Sequence, residues 1–84
     1  MSTRSDRIRR EVMRGLRAER SRQGLTQAQL ADRLGWSRQK VAAVEAGTRR
    51  LFFDDVPDLC AALGVPLSRL LIDADPDDLN ALGL

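Results

Sequence analysis

Histidine and tyrosine are absent from the 84-residue chain, and Cys60 is its single cysteine. Without a second thiol no disulfide can close within the chain. Without histidine the four Cys or His ligands of a zinc site cannot be gathered. The side chain that most often serves as a general base near neutral pH is missing as well. Enzyme chemistry would have to rest on carboxylates, on the one lysine (Lys40) or on Cys60, so no catalytic residue, metal or cofactor is expected. No apolar run approaches the roughly 20 residues that span a bilayer, so no membrane partner is expected. Met1 to Arg14 is charged throughout and holds no signal-peptide hydrophobic region, which makes the cytoplasm the expected location. No segment alternates with period two and β-branched residues, so no sheet is predicted.

What is there is charge, unevenly spread. Hydrophobic residues make up 43% and charged residues 31% of the chain, as in a soluble globular fold, and this length holds one domain. The net charge of +2 hides two poles. Residues 1–50 carry thirteen basic residues against five acidic ones, a net of +8. Residues 51–84 carry Arg69 alone against seven aspartates, a net of −6. Poles this far apart point to an anionic partner at one end. Thirteen of the fourteen basic residues are arginine, whose fork suits phosphates and guanine edges.

Glycine and proline cut the chain into short helical pieces. Ile8, Val12, Leu16 and Arg20 form one stripe of a first helix, about 6–22, which Gly15 weakens by about 1 kcal/mol relative to alanine. A second helix, about 27–34, has Thr26 as its N-cap, Leu30, Ala31 and Leu34 as its buried face, and Gly35 as its terminator. A third, about 38–46, runs from Ser37 as N-cap to Gly47, with Val44 and Glu45 three and four residues after Val41. A fourth starts near Val56 and Pro57, capped by Asp54 or Asp55, and buries Val56, Leu59, Cys60 and Leu63. A short fifth, about 67–72, carries Leu67, Leu70 and Leu71. Residues 77–82 form one or two turns only if Leu79 and Leu82 find a surface.

The second and third helices are separated by Gly35-Trp36-Ser37, a turn that makes two helices cross steeply and lets the N-terminus of the second project. From Arg20 to Ile72 the chain resembles the helix-turn-helix family of lambdoid phage repressor and Cro proteins, the XRE-like family. The matching stretches are Gly24-Leu25-Thr26-Gln27-Ala28-Gln29-Leu30-Ala31, Leu34-Gly35-Trp36-Ser37-Arg38, Val44-Glu45-Ala46-Gly47, Pro57 to Val65, and Leu70-Leu71. The resemblance spans about 53 of the 84 residues. The resemblance implies an all-α, five-helix lambda-repressor-like domain over 1–72, with a short acidic extension over 73–84.

A major groove about 12 Å wide admits one helix, whose N-terminal residues meet base edges while neighbouring caps hold the backbone. Ser37-Arg38-Gln39-Lys40 fits that task. The Ser37 hydroxyl and first-turn N–H groups can meet a phosphate. Arg38 can fork onto guanine and Gln39 can pair with adenine. In the family the position of Ala43 often reads a base with a longer side chain; here a methyl remains, which could touch thymine. The resemblance gives Gln27 a phosphate bond and the bracing of the first recognition residue, and it places Arg49 and Arg50 against phosphates or the minor groove. It also pairs Arg20 with Glu45 in a partly buried ion pair. Trp36 is read as a partial cover over the second and third helices.

Cys60 is read as a buried, inert thiol. Asp73, Asp75, Asp77 and Asp78 lack the ligand order of a calcium loop and are read as a solvated acidic tail. Arg4, Arg7, Arg9 and Arg10 precede the matched stretch and either extend the first helix along the phosphates or form a disordered basic arm. The expected activity is sequence-specific binding of double-stranded DNA by a transcriptional regulator, a repressor, acting as a homodimer on a palindromic operator. The dimer surface is sought in Leu51, Phe52, Phe53, Leu79, Leu82 and Leu84. The alternative is a protein-interaction module, an antitoxin or anti-regulator that grips a partner protein through its acidic half and also binds its own operator.

Overall fold

Thr3, Thr26 and Ser37 each accept the N–H of the residue three positions on, and so close the first turn of a helix. At Thr3 and Thr26 the bond is returned by Asp6 and Gln29, giving two full capping boxes. A computed structural model describes residues 3–84; Met1 and Ser2, with which the expected domain opens, lie outside the described residues. The helices are α1 (Arg4–Arg22), α2 (Gln27–Leu34), α3 (Arg38–Ala46), α4 (Asp55–Leu63), α5 (Leu67–Leu70) and α6 (Pro76–Ala81). Among the described residues there is no strand.

Apolar stripes from five segments meet in one core. Val12 and Leu16 of α1, Leu30 and Ala31 of α2, Val41 and Val44 of α3, Leu59 and Leu63 of α4, and Leu70 with Leu71 are all buried. Helix α1 lies across α3, α4 and α5, while α2 packs on α3 and α4. Two side chains, one from the end of α1 and one from α2, stop α4: Gln23 Nε2 donates to Leu63 O at 2.8 Å and Arg33 Nη1 to Ala62 O at 3.0 Å. These take up carbonyls that the end of a helix leaves without an internal partner.

Gly15 has a tertiary reason. A Cβ built on it would lie 2.0 Å from the main-chain oxygen of Leu70. Helix α1 therefore touches α5 backbone to backbone, and only glycine allows it. The loss of helix propensity at this position is the condition for burying Leu70 and Leu71.

The C-terminal segment departs from the sequence reading. In place of five helices and a solvated tail there is a sixth helix, and Asp78 within it is 2% exposed. Arg7 holds that carboxylate with two bonds, Nη2 to Oδ1 at 2.9 Å and Nε to Oδ2 at 3.1 Å, and Arg4 Nε reaches Oδ1 at 3.3 Å. These cations keep the Asp78 carboxyl below its ordinary pKa, Arg7 contributing most. Asp75 caps α6 by accepting the Asp77 N–H at 2.8 Å, and Asp73 accepts Arg14 Nη2 at 2.7 Å. The N-terminal arm is thus the first turns of α1, and two of its arginines fasten the C-terminal helix. Leu79, sought as a dimer contact, is half-buried against the protein's own core.

Three smaller points also differ from or add to the sequence reading. Asp54 makes no side-chain cap on α4; the Asp55 carboxylate instead accepts the Phe52 N–H at 3.0 Å. Glu19, on the buried side of α1, joins Arg22 Nη2 and Arg69 Nε, each at 2.7 Å. The two guanidinium groups hold its carboxyl at a pKa of about 2, Arg22 first. Cys60 is half-buried, and desolvation pushes its thiol pKa up.

Gly15→Ala tests the α1–α5 crossing. Propensity alone would stabilise α1 by about 1 kcal/mol. The blocked approach makes the expected outcome a net loss of roughly 1–3 kcal/mol, read as a lower urea midpoint at unchanged slope.

Candidate nucleic-acid interface

The turn between α2 and α3 is built from local rules. Gly35 takes φ +70°, where a side chain would be strained, and reverses the chain. The Trp36 N–H then returns to Ala31 O at 3.0 Å. Ser37 adopts extended backbone and accepts the Lys40 N–H at 3.1 Å. Its hydroxyl keeps its own hydrogen as a donor. The result is a helix whose first residues, Ser37, Arg38 and Gln39, are all exposed. The first-turn N–H groups stand at the positive end of its dipole.

Lys40 stands differently. Its Nζ lies 4.0 Å from the centroid of the Trp36 ring, a cation–π contact. Trp36 is half-buried and packs against the core, so it anchors the turn and holds Lys40 back along α3. Ala42 and Ala43 are half-buried on the same helix and add no bulk. The Ala43 carbonyl also orders the turn after α3: it accepts Thr48 N–H at 2.9 Å, Arg49 N–H at 3.1 Å and the Thr48 hydroxyl at 3.2 Å. Arg49 and Arg50 therefore leave the end of α3 from a hydrogen-bonded turn, both exposed.

Behind the exposed tip lies a buried carboxylate. Glu45 is 3% exposed. Arg20 of α1 grips it with two bonds, Nε to Oε2 at 2.6 Å and Nη2 to Oε1 at 2.9 Å, and its third nitrogen donates to Leu25 O at 2.8 Å. This fork raises the Arg20 pKa, chiefly through its bonds to Glu45. Gln27, the first residue of α2, adds Nε2 to Oε1 at 3.2 Å. Glu45 thus ties α1, α2 and α3 together. Gln27 spends one of two amide hydrogens on Glu45, which leaves a second donor and its carbonyl oxygen for other bonds.

Two contacts of this region have no counterpart in the sequence reading. Arg17 of α1 donates to the Glu45 carbonyl; its place three residues before Arg20 on one helix face was the available signal. The Lys40–Trp36 stack could have been sought from their separation of four residues across a turn. Phe52 and Phe53 are 61% and 86% exposed, and with Leu82 they edge a shallow depression of about 230 Å³ over Ile8, Val12, Leu51 and Val56.

The pairing of the arginines separates two groups. Arg4, Arg7, Arg9, Arg14, Arg20, Arg22 and Arg69 all form ion pairs. Arg17 and Arg33 donate only to main-chain carbonyls, while Arg38, Arg49 and Arg50, all on α3 or the turn after it, form neither an ion pair nor a side-chain hydrogen bond among the described residues. The positive pole of the sequence is thus largely neutralised along α1 and left open at α3.

Two helices crossed at a glycine turn, the second presenting its N-terminus, define a helix-turn-helix protein. The helix-turn-helix domain family matches residues 13–71, and the chain belongs to that family. The whole chain is also similar to the crystal structure of a hypothetical transcription factor, NHTF, from Neisseria. That likeness has a TM-score of 0.72 at 28% identity and covers 98% of this chain and 91% of that one. No curated protein matches the chain. Among the described residues no helix is long and apolar enough to cross a membrane.

The ion pair can be tested without any ligand. Arg20→Ala leaves the Glu45 carboxylate buried without its fork, and a loss of about 3 kcal/mol is expected. Replacing both residues with methionine should recover most of it in denaturant unfolding, because no charge then remains buried.

Proposed function

We propose that the protein is a sequence-specific, double-stranded DNA-binding transcriptional regulator of the lambdoid repressor and Cro kind. It acts in the cytoplasm, with α3 in the major groove. The observation that carries this reading is the unpaired set Arg38, Arg49 and Arg50 on the exposed helix and its following turn, while ion pairs engage seven arginines elsewhere. Arg38 and Gln39 read base edges, and the Ala43 methyl meets a thymine. Lys40 swings from Trp36 to a base or phosphate. Ser37, Gln27, Arg49 and Arg50 hold phosphates and set the register. The second amide hydrogen of Gln27 serves a phosphate while the first stays on Glu45.

One such helix contacts only a few base pairs, too little to single out one site in a genome. We infer a homodimer on a palindromic operator with half-sites about 34 Å apart. The exposed pair Phe52 and Phe53, with Leu82 beside them, supports this, since exposed aromatics on a small domain mark a contact surface. Leu51 and Leu79 serve the monomer core as well. Occupation of an operator is by itself enough to repress, so repression is the mode inferred. The rival reading, a module that grips a partner protein through its acidic half, needs a C-terminal segment without a surface on its own chain. The seating of Asp78 under Arg4 and Arg7 favours the regulator.

Selection from random duplexes, followed by anisotropy titrations across a salt series, tests the assignment. Arg38→Ala is expected to relax preference at one base pair by about 1–3 kcal/mol. Arg49→Ala is expected to weaken all duplexes alike and lower the salt slope by about one. Equal losses on every duplex for both variants would remove the case for direct readout.

A further inference from the structure

Glu45 is gripped at two points, and only one of them belongs to the familiar ion pair. Its carboxylate takes Arg20 and Gln27. Its main-chain carbonyl takes a separate donor, Nη1 of Arg17. The last carbonyls of a helix have no partner within the helix. At the end of α3 the neighbouring ones are satisfied locally: Ala43 O by Thr48 and Arg49, and Val44 O by the Gly47 N–H at 3.1 Å. The Glu45 carbonyl is served from α1 instead. A guanidinium there also complements the negative end of the α3 dipole.

Arg17 and Arg20 lie three residues apart, on one face of α1. Two guanidinium groups from one rigid helix thus hold one residue of another, through its side chain and its backbone. A single grip would let α3 turn about the point of contact. Two grips fix its rotation about its own axis. A twist of roughly 20° carries a group at a radius of about 6 Å through about 2 Å, enough to break a two-pronged hydrogen bond.

We propose that Arg17 is a positioning residue for sequence readout. It sets the rotation of α3, which aligns Arg38 and Gln39 with base edges, and so it sharpens discrimination between sequences rather than supplying affinity at large. The inference rests on the DNA-binding reading above. Arg17 is also exposed, and a direct phosphate contact is the competing use of such a group.

Arg17→Ala and Arg17→Lys in the full chain separate the two. Without DNA, amide hydrogen exchange at Gly47, Thr48 and Arg49 should quicken by about tenfold in Arg17→Ala, as loss of one hydrogen bond from a charged donor allows. Amides of α2 should be unchanged, and Arg17→Lys should restore part of the protection. With DNA, the ratio of affinity for the selected duplex over a random one should fall about tenfold in Arg17→Ala, at an unchanged salt slope. Unchanged exchange at residues 47–49 overturns the proposal whatever DNA does. A slope lowered by about one, with the affinity ratio intact, overturns it in favour of a phosphate contact. If no duplex is preferred by the parent protein, the DNA-binding reading fails, while the exchange result still shows whether Arg17 holds the end of α3.

Discussion

A carboxylate sealed inside a small helical protein has to be matched, and Glu45 is matched from two other helices at once. Arg20 closes on it as a fork, Gln27 adds an amide hydrogen, and Arg17 takes the carbonyl of the same residue. Because Glu45 lies near the end of α3, its partners fix that helix from behind and leave the front free. The exposed start of α3 is then a consequence of where its charge is buried. Removing one member strands an ion, whereas well-packed apolar replacements of the set are expected to keep the fold.

A second constraint is the division of labour among the arginines. A chain with thirteen of them would repel itself if all pointed to solvent. Here the aspartates of the C-terminal segment and the glutamates of α1 pair with five of them, Arg4, Arg7, Arg14, Arg22 and Arg69. Asp78 draws Arg4 and Arg7 together, Asp73 draws Arg14, and Glu19 joins Arg22 to Arg69. The acidic segment therefore stabilises the two ends of the chain against each other. Arg38, Arg49 and Arg50 keep their charge without any such partner among the described residues, which suits them to a polyanion.

Legibility in the sequence followed the range of each interaction. Thr26, Ser37, Gly35 and Gly47 act on residues within four positions, so α2 and α3 were readable to the residue. The buried stripes of α1 and α4 were readable from their spacing. Helix α6 was readable only conditionally, as one or two turns over 77–82, because six residues hold little periodicity and the partner of Asp78 lies 71 positions away. Gly15 read as a weak point, since propensity is a local quantity and the backbone it admits belongs to Leu70. At the interface the residue types of the α3 tip were plain in the sequence. Which arginines remain unpaired was not, because that depends on every carboxylate in the fold.

The central claim is that α3, locked through Glu45, offers residues 37–40 to DNA. An amide-shift titration of the labelled protein with a duplex obtained by selection tests it most directly. The largest shifts are expected at Ser37 to Lys40, Ala43 and Thr48 to Arg50, with smaller ones at Gln27 and none on α6. Shifts gathered instead on α6 and the start of α4, with residues 37–40 unmoved, would contradict it.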